Sequence, residues 1–254
     1  MAGYVCVYNY SILWKTVPAL CGYKYASAAC GTMDSGEGRN METHNIKWLF
    51  FDMGSTLVDE TDAYREWFQR ASDAVGGQIS PEELWKRYRE GMAQYSVTIA
   101  GHLKPFGFQA DSTSYLYPSE LDKAYPEAKP LLEALSKRYK IGIIANQSLG
   151  SSERLKRYGL LPYISLVVGS AEAGVSKPDP RIFRLALEKA NCKPGEAVMI
   201  GDRPDNDIYP AKALGLKTIR IRQGTSYEQM PKGEEYEADV TLHSLAEIYE
   251  VLGR

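Results

Sequence analysis

The chain has 254 residues, 44% hydrophobic and 24% charged, which is typical of a folded globular protein rather than a disordered one. Thirty basic against 32 acidic residues give a net charge of −2, which excludes the basic excess expected of a protein that binds nucleic acid or an anionic membrane. No apolar run approaches the roughly 18–20 residues of a transmembrane helix. Four cysteines do not form a disulfide framework in a chain of this length, so the sequence favours a reduced, cytoplasmic setting.

Residues 1–40 differ from the rest of the chain, because they show neither a helical nor a strand period and end in a loop-like run. A secretory signal is the alternative interpretation, with a small-residue site at 26–28, but Lys15 and Lys24 interrupt the apolar stretch that such a signal needs. We predict a poorly ordered extension, for which a start codon assigned too early is one explanation. Met41 then opens the folded domain.

From Ile46 onward, short apolar runs alternate with amphipathic helical patterns. The runs predict buried strands at 46–51, 141–144, 166–168, 198–200, 218–221 and 238–242, with a last helix at 245–252. A helix between successive strands predicts right-handed crossovers and a parallel sheet that is covered on both faces. The predicted fold class is therefore α/β, a doubly wound parallel sheet whose active site lies at the carboxyl ends of the strands.

The segment 60–125, between the first two of these strands, is too long for one crossover helix. It contains aromatic residues at helical spacing, and Ser80 with Glu83 three positions later forms a capping-box pattern that predicts the start of a second helix. We predict an α-helical cap inserted over the strand ends, with 41–59 and 126–254 forming the α/β core. The aromatic side chains are expected to form the core of the cap rather than to contact a ligand.

Polar residues fall at the predicted ends of several strands. These residues are Asp52, Asn146, Ser148, Lys177, Asp202 and Asp207. Taken singly, each has an ordinary explanation as a turn, cap or surface residue. Together at one edge of a sheet, the carboxylates predict a site for a hard cation. Mg²⁺ fits better than Zn²⁺ because His44, His102 and His243 are scattered along the chain.

A carboxylate nucleophile beside a divalent cation and an ammonium group is suited to phosphoryl transfer. The cation and the lysine would neutralise the charge of the phosphate. The carboxylate would attack phosphorus and form an aspartyl-phosphate, which water then hydrolyses. The pattern therefore predicts a hydrolase of small phosphorylated substrates, and it carries no prediction about oligomeric state.

Three ordered motifs resemble those of the haloacid dehalogenase (HAD) superfamily over residues 46–252. They are Phe-Asp-x-x-x-Thr-Leu from Phe51, Lys-Pro-Asp-Pro-x-Ile-Phe from Lys177 and Ile-Gly-Asp-x-x-x-Asn-Asp-Ile from Ile200. The helical insertion resembles the subfamily with a small C1-type cap, which includes phosphoglycolate phosphatases, nucleotidases and 2-haloacid dehalogenases. The resemblance implies a Rossmann-like core and a Mg²⁺-dependent hydrolase.

The resemblance also implies a role for individual residues. Asp52 matches the nucleophile, which also ligates the metal, and Lys177 matches the lysine that neutralises the phosphate. Asp202 matches a direct Mg²⁺ ligand, and Asp207 matches a second acidic residue that holds the metal shell. The family's backbone carbonyl ligand falls on Gly54.

The chain departs from the family's pattern at two places. Gly54 stands where the phosphatases usually carry an aspartate that acts as general acid and base, and Ser55 then replaces a glycine. Ala145 stands where a serine or threonine usually binds the phosphate. We therefore expect Asn146 and Ser148 to bind the phosphate in its place.

The missing aspartate predicts a restricted range of substrates. General acid–base help is worth about 10²–10⁴-fold, so alkyl phosphates with poor leaving groups should turn over slowly and activated aryl or acyl phosphates faster. Asp59 and Glu60 are nearby candidates for an acid that replaces the missing one, but their position favours the interpretation that they mark the hinge to the cap.

Three alternative functions stay open at this point. A phosphonate hydrolase would use a cap lysine, Lys86 or Lys104, although both are expected to be surface residues because a reactive amine needs desolvation. A metal-independent dehalogenase is disfavoured by the intact pair Asp202 and Asp207. A chain that binds a phosphorylated ligand or a protein partner without turnover is the main non-enzyme alternative.

Overall fold

The computed structural model describes residues 41, 43–96 and 99–253, so the prediction for 1–40 lies outside the described residues. The strands in this part of the chain are β1 (Trp48–Phe51), β2 (Val58–Asp59), β3 (Lys123–Ala124), β4 (Lys140–Ala145), β5 (Leu166–Gly169), β6 (Ala197–Gly201), β7 (Lys217–Ile221) and β8 (Val240–Leu242). The α-helices are α1 (Thr61–Asp73), α2 (Pro81–Ala93), α3 (Ile99–Leu103), α4 (Ala128–Leu135), α5 (Ser151–Arg157), α6 (Ser170–Ala173), α7 (Pro180–Ala190), α8 (Tyr209–Ala213) and α9 (Ile248–Leu252). None of these helices combines the length and the apolar character needed to cross a bilayer.

Six of the described strands form one parallel sheet in the order β5-β4-β1-β6-β7-β8, which confirms the predicted fold class. β1 lies between β4 and β6, so that Phe51 is paired with Ile143 on one side and with Ile200 on the other. Because the strands are parallel, their carboxyl ends meet at one edge of the sheet. The segments that follow β1, β4 and β6 therefore lie next to one another.

Successive residues of β1 face opposite sides of the sheet. Leu49 and Phe51 belong to one apolar cluster, which includes side chains of α4, α5 and α9, and Phe50 belongs to a second cluster with α7 and α8. All three side chains are fully buried. Coverage of both faces explains why this strand is a continuous apolar run rather than an alternating one.

The helices between β2 and β3 pack around an apolar cluster of their own. The predicted start of α2 is confirmed, since Ser80 Oγ accepts a hydrogen bond from Glu83 N at 3.2 Å. The rings of Tyr64, Phe68 and Tyr88 pack against one another, with centroids 5.4 to 6.1 Å apart. The aromatic spacing in the sequence therefore reflects the packing of these helices on one another.

Sequence patterns do not indicate β2 and β3. These strands pair antiparallel, with Val58 opposite Ala124 and Asp59 opposite Lys123. Two-residue strands are too short to produce a periodic pattern. Their pairing joins the points at which the chain enters and leaves the helical insertion.

Gly142 in β4 lies against the ring of Phe50, where a Cβ would come 2.5 Å from the ring atom Cδ1. We expect Gly142→Ala to lower the free energy of unfolding by about 1–3 kcal/mol, because the buried ring has no free space into which to move. Gly195→Ala is the matched control, since a Cβ there meets nothing within 4 Å. Urea denaturation of both variants measures the difference, and equal stability would contradict this account of the core.

Candidate active site

A buried network of charges lies at the carboxyl edge of the sheet. Asp52 directly follows β1, Asp207 lies in the π-helical turn Pro204–Ile208 after β6, and Lys177 lies in the loop before α7. Lys177 Nζ donates to Asp52 Oδ1 and to Asp207 Oδ1, each at 2.5 Å. The lysine side chain is only 2% exposed. Removing one partner would leave an uncompensated charge in the interior, which is strongly destabilising.

Asp202, which follows β6, completes an acidic cluster. One carboxylate oxygen from each of Asp52, Asp202 and Asp207 lies within 4.8 Å of the others, and all three residues are buried. Asp202 Oδ2 accepts a hydrogen bond from Ser226 Oγ at 2.5 Å, and its Oδ1 accepts from Thr56 Oγ1 at 3.5 Å. Carboxylate oxygens are the ligands that hard divalent cations prefer, so this cluster can hold such an ion.

The ionisation of the cluster reflects its burial and its excess of negative charge. Burial raises the pKa of Asp202 and of Asp207, and the neighbouring carboxylate of Asp52 raises the pKa of both further. Burial alone would lower the pKa of Lys177, but Asp207 and Asp52 raise it above the usual range for lysine. One ammonium group therefore accompanies three buried carboxyl groups, and a cation bound beside them would favour their ionised form.

A cavity of about 110 Å³ lies over the cluster and is lined by Asp52, Lys177, Asp202 and Asp207 from the core. Tyr64, Tyr88 and Met92 from α1 and α2 form the opposite wall. A second cavity, of about 420 Å³, shares the lining residues Glu60, Tyr64, Asn146 and Gln147 and extends to Trp67 and Tyr117. A small polar chamber therefore adjoins a larger one between the sheet edge and the inserted helices.

Asn146 and Ser148, both predicted to bind substrate, occupy different places. Asn146 lines both cavities, and its side-chain amide donates to Lys177 O and accepts from Lys177 N, each at 2.8 Å. Asn146 therefore holds the backbone of the lysine in position. Ser148 is exposed and lines the larger cavity, apart from the acidic cluster. The structure brings it together with Asn146 but not with Asp52, Lys177, Asp202 or Asp207, so its phosphate-binding role stays a prediction.

Gly54 lines the small cavity together with Glu60, which the sequence analysis considered for the missing acid but assigned to the hinge. Ser55 Oγ donates to Glu60 Oε2 at 3.2 Å, so the Glu60 carboxyl group points into the site. Burial and the carboxylates of Asp122 and Asp52 raise the pKa of Glu60 well above the usual value. The direction of a side chain at a hinge leaves no periodic signal in the sequence, so the sequence offered both Asp59 and Glu60, and only the structure shows that Glu60 is the one in the cavity wall.

A loop after β7 also contributes residues that the motifs do not mark. Thr225 lines the small cavity, and Ser226 donates to the Asp202 carboxylate. The buried Arg220 donates to the backbone carbonyls of Asp202, Ser226 and Gln229 and so holds this loop against the end of β6. These contacts join segments that are apart in the sequence, and therefore no local pattern reveals them.

The two lysines considered for a phosphonate hydrolase lie outside the walls of both cavities. Lys86 is exposed, and Lys104 forms an ion pair with Asp111 at 3.1 Å. A reactive amine needs a desolvated position that lowers its pKa. Neither lysine occupies such a position, as expected from the sequence.

The model of the haloacid dehalogenase-like hydrolase family matches residues 46–215 of this chain. The chain belongs to that family, and it is therefore a hydrolase, as its three motifs predicted.

The matches between this chain and similar proteins extend over almost the full length of those proteins. A glyceraldehyde 3-phosphate phosphatase of Methanocaldococcus jannaschii is 36% identical over 82% of this chain and 97% of the relative. A pyrimidine 5'-nucleotidase of Escherichia coli is 30% identical over 81% of this chain and 97% of the relative. The crystal structure of a HAD phosphatase from Thermococcus onnurineus is 28% identical and superposes with a TM-score of 0.59, covering 82% of this chain and 98% of that one.

The raised pKa values of Asp202 and Asp207 make the stability of the metal-free protein depend on pH. The folded chain keeps protons on these groups that the unfolded chain releases, so stability should fall as pH rises from about 4, where the unfolded carboxyl groups ionise, to about 8. Thermal unfolding in a chelator measures this slope. Asp202→Asn should flatten it, whereas Asp73→Asn, which removes an exposed carboxyl group on α1, should not. A wild-type slope of the opposite sign would contradict the assignment.

Proposed function

We propose that this hydrolase is a Mg²⁺-dependent phosphatase, which acts on small phosphorylated metabolites in the cytoplasm through an aspartyl-phosphate on Asp52. The observation that carries the proposal is the buried cluster of Asp52, Lys177, Asp202 and Asp207 in the wall of a small polar cavity. Its similarity to a glyceraldehyde 3-phosphate phosphatase and to a pyrimidine 5'-nucleotidase supports phosphate esters as the substrate class.

The donor atoms support Mg²⁺ as the metal. The cluster offers carboxylate oxygens from Asp52, Asp202 and Asp207, and Gly54 in the same wall can add a backbone carbonyl. Neither cavity has a histidine in its wall. An oxygen-only set suits Mg²⁺ better than a metal that prefers nitrogen or sulfur ligands. When bound, the ion would offset the charge that the phosphate brings into an already negative site.

Asp52 is the group that attacks phosphorus in this proposal. Its carboxylate forms a new bond to phosphorus while the bond to the leaving oxygen breaks, and water later cleaves the acyl phosphate and restores the carboxylate. Lys177 holds Asp52 by one oxygen and keeps a positive charge beside the phosphate. Asn146 acts indirectly, because its side chain forms hydrogen bonds with both the backbone N–H and the backbone carbonyl of Lys177.

We propose that the helical insertion, residues 60–125, is the cap that selects the substrate, with 41–59 and 126–254 as the catalytic core. Residues of the insertion form one wall of the small cavity and much of the wall of the larger one, including Trp67 and Tyr117. The small chamber would then receive the phosphate, and the chamber of about 420 Å³ would receive the leaving group. Specificity would thus depend on the aromatic and hydroxyl side chains of the inserted segment.

A panel of phosphorylated metabolites, assayed with Mg²⁺ and with a chelator, tests the proposed activity. We expect Mg²⁺-dependent phosphate release that Asp52→Asn reduces to background, because an amide cannot attack phosphorus. Asp73→Asn should retain the wild-type rate, since this exposed residue lies outside the site. Wild-type rates in Asp52→Asn would refute the aspartyl-phosphate, and tight binding of a phosphorylated compound without turnover would favour the non-enzyme alternative.

Mg²⁺ binding can also be measured without turnover. A cation that binds only the folded chain raises its stability, so Mg²⁺ should increase the melting temperature of the wild-type protein. Asp202→Asn removes one carboxylate of the cluster and should weaken this increase strongly, whereas Asp73→Asn should leave it intact. A Mg²⁺ effect that Asp202→Asn leaves unchanged would place the ion elsewhere.

A further inference from the structure

We infer that Glu60 is the general acid and base of the reaction: it protonates the leaving oxygen and then deprotonates the attacking water. The inference rests on the proposed phosphatase function and extends it to a residue outside the three motifs. It gives the chain a proton donor although the first motif lacks one at Gly54.

The carboxyl group of Glu60 occupies the space that a side chain at position 54 would fill. A Cβ placed on Gly54 would lie 2.5 Å from Glu60 Oε1, 2.7 Å from Oε2 and 2.8 Å from the carboxyl carbon. A side chain at position 54 and this placement of Glu60 therefore exclude each other. Glu60 extends from the hinge and brings its carboxyl group to that place. Glu60 and Asp52 line the same cavity.

Ser55 holds this carboxyl group in place. Its Oγ donates to Glu60 Oε2 at 3.2 Å and lies 3.4 Å from Thr225 Oγ1, so the hydroxyl joins the hinge to the loop after β7. Ser55 has a φ of 54°, in the left-handed region that non-glycine residues seldom occupy. The departures at positions 54 and 55 are thus structurally linked, because one makes room for the carboxyl group and the other supplies its hydrogen-bond donor.

Glu60 does not perform the structural task that its position would suggest. It precedes the first residue of α1, yet its side chain forms no capping hydrogen bond. Asp59 Oδ1 accepts from the backbone N–H of Thr61 at 2.9 Å instead. Among the described residues, the side-chain hydrogen bond of Glu60 is the one with Ser55. The carboxyl group is therefore held toward the cavity rather than used by the helix.

In this role Glu60 gives up one proton and regains one proton in each catalytic cycle. As Asp52 forms its bond to phosphorus, the bond to the leaving oxygen breaks, its electron pair stays on that oxygen, and Glu60 transfers a proton to it. The alcohol leaves and Glu60 is a carboxylate. That carboxylate accepts a proton from water as the water oxygen attacks phosphorus. Inorganic phosphate leaves, Asp52 is restored, and Glu60 is protonated for the next cycle.

The test compares an alkyl ester, glycerol phosphate, with an aryl ester, para-nitrophenyl phosphate, in the presence of Mg²⁺. We expect the wild-type chain to hydrolyse both. Glu60→Gln keeps the size of the side chain but removes the proton, so kcat/KM should fall by about 10²–10⁴-fold for glycerol phosphate and change little for the aryl ester, whose leaving group needs no proton. The restriction to activated phosphates predicted from Gly54 should thus appear in this variant.

The second half-reaction gives an independent signal. Glu60→Gln also lacks the base that activates water, so it should release a burst of nitrophenolate and then slow down. The phosphorylated protein should accumulate, and mass spectrometry should detect a mass increase of one phosphoryl group. Asp59→Asn is the matched control, because this neighbouring carboxyl group lies outside both cavity walls, and it should show neither effect. The double variant Gly54→Asp with Glu60→Ala returns a carboxyl group to position 54, and it should recover much of the activity on glycerol phosphate that Glu60→Ala alone loses.

Each contrary outcome has a distinct meaning. Equal losses on both esters, together with a weaker Mg²⁺-induced rise in melting temperature, would make Glu60 a metal ligand and overturn the inference. An unchanged rate on glycerol phosphate in Glu60→Gln, or a wild-type chain active only on the aryl ester, would overturn it while leaving the phosphatase function intact. A wild-type chain that hydrolyses neither ester would overturn both.

Discussion

The contact of Lys177 with Asp52 and Asp207 is the interaction on which the site depends. Transfer of carboxylates into the interior is costly unless a positive charge accompanies them. Lys177 supplies that charge between two acidic residues, which come from the ends of two neighbouring strands. Asp202 adds a third carboxyl group beside this pair, and together the three can hold a divalent cation.

The parallel sheet provides the positions for this interaction. Because β1 (Trp48–Phe51) lies at the centre, the segments that follow it and its two neighbours converge at one edge. Asn146 after β4 then reaches the backbone of Lys177 and fixes the loop that carries the ammonium group. Apolar packing on both faces of the sheet makes these strand ends rigid, and rigid strand ends keep the charged groups within hydrogen-bond distance.

At the hinge between the sheet and the inserted helices, the residues around the changed first motif are arranged together. A glycine at position 54 removes a side chain from the small cavity, and the carboxyl group of Glu60 enters the same space. Ser55 adopts a strained backbone conformation from which its hydroxyl reaches that carboxyl group. Read one position at a time, these residues suggest a damaged site, whereas their contacts describe an alternative way to place a carboxyl group there.

The amino-acid sequence by itself determined the α/β class, and it predicted the helical insertion and the acidic and basic residues of the candidate site. Buried strands, amphipathic helices and motif spacing are local properties, and Asp52, Lys177, Asp202 and Asp207 fall within such segments. Only the tertiary structure decided that Asn146 holds a backbone, that Ser148 lies in the larger cavity and that the Glu60 carboxyl group faces the site. Those facts depend on the direction of side chains between segments distant along the chain, which packing sets and no local periodicity records.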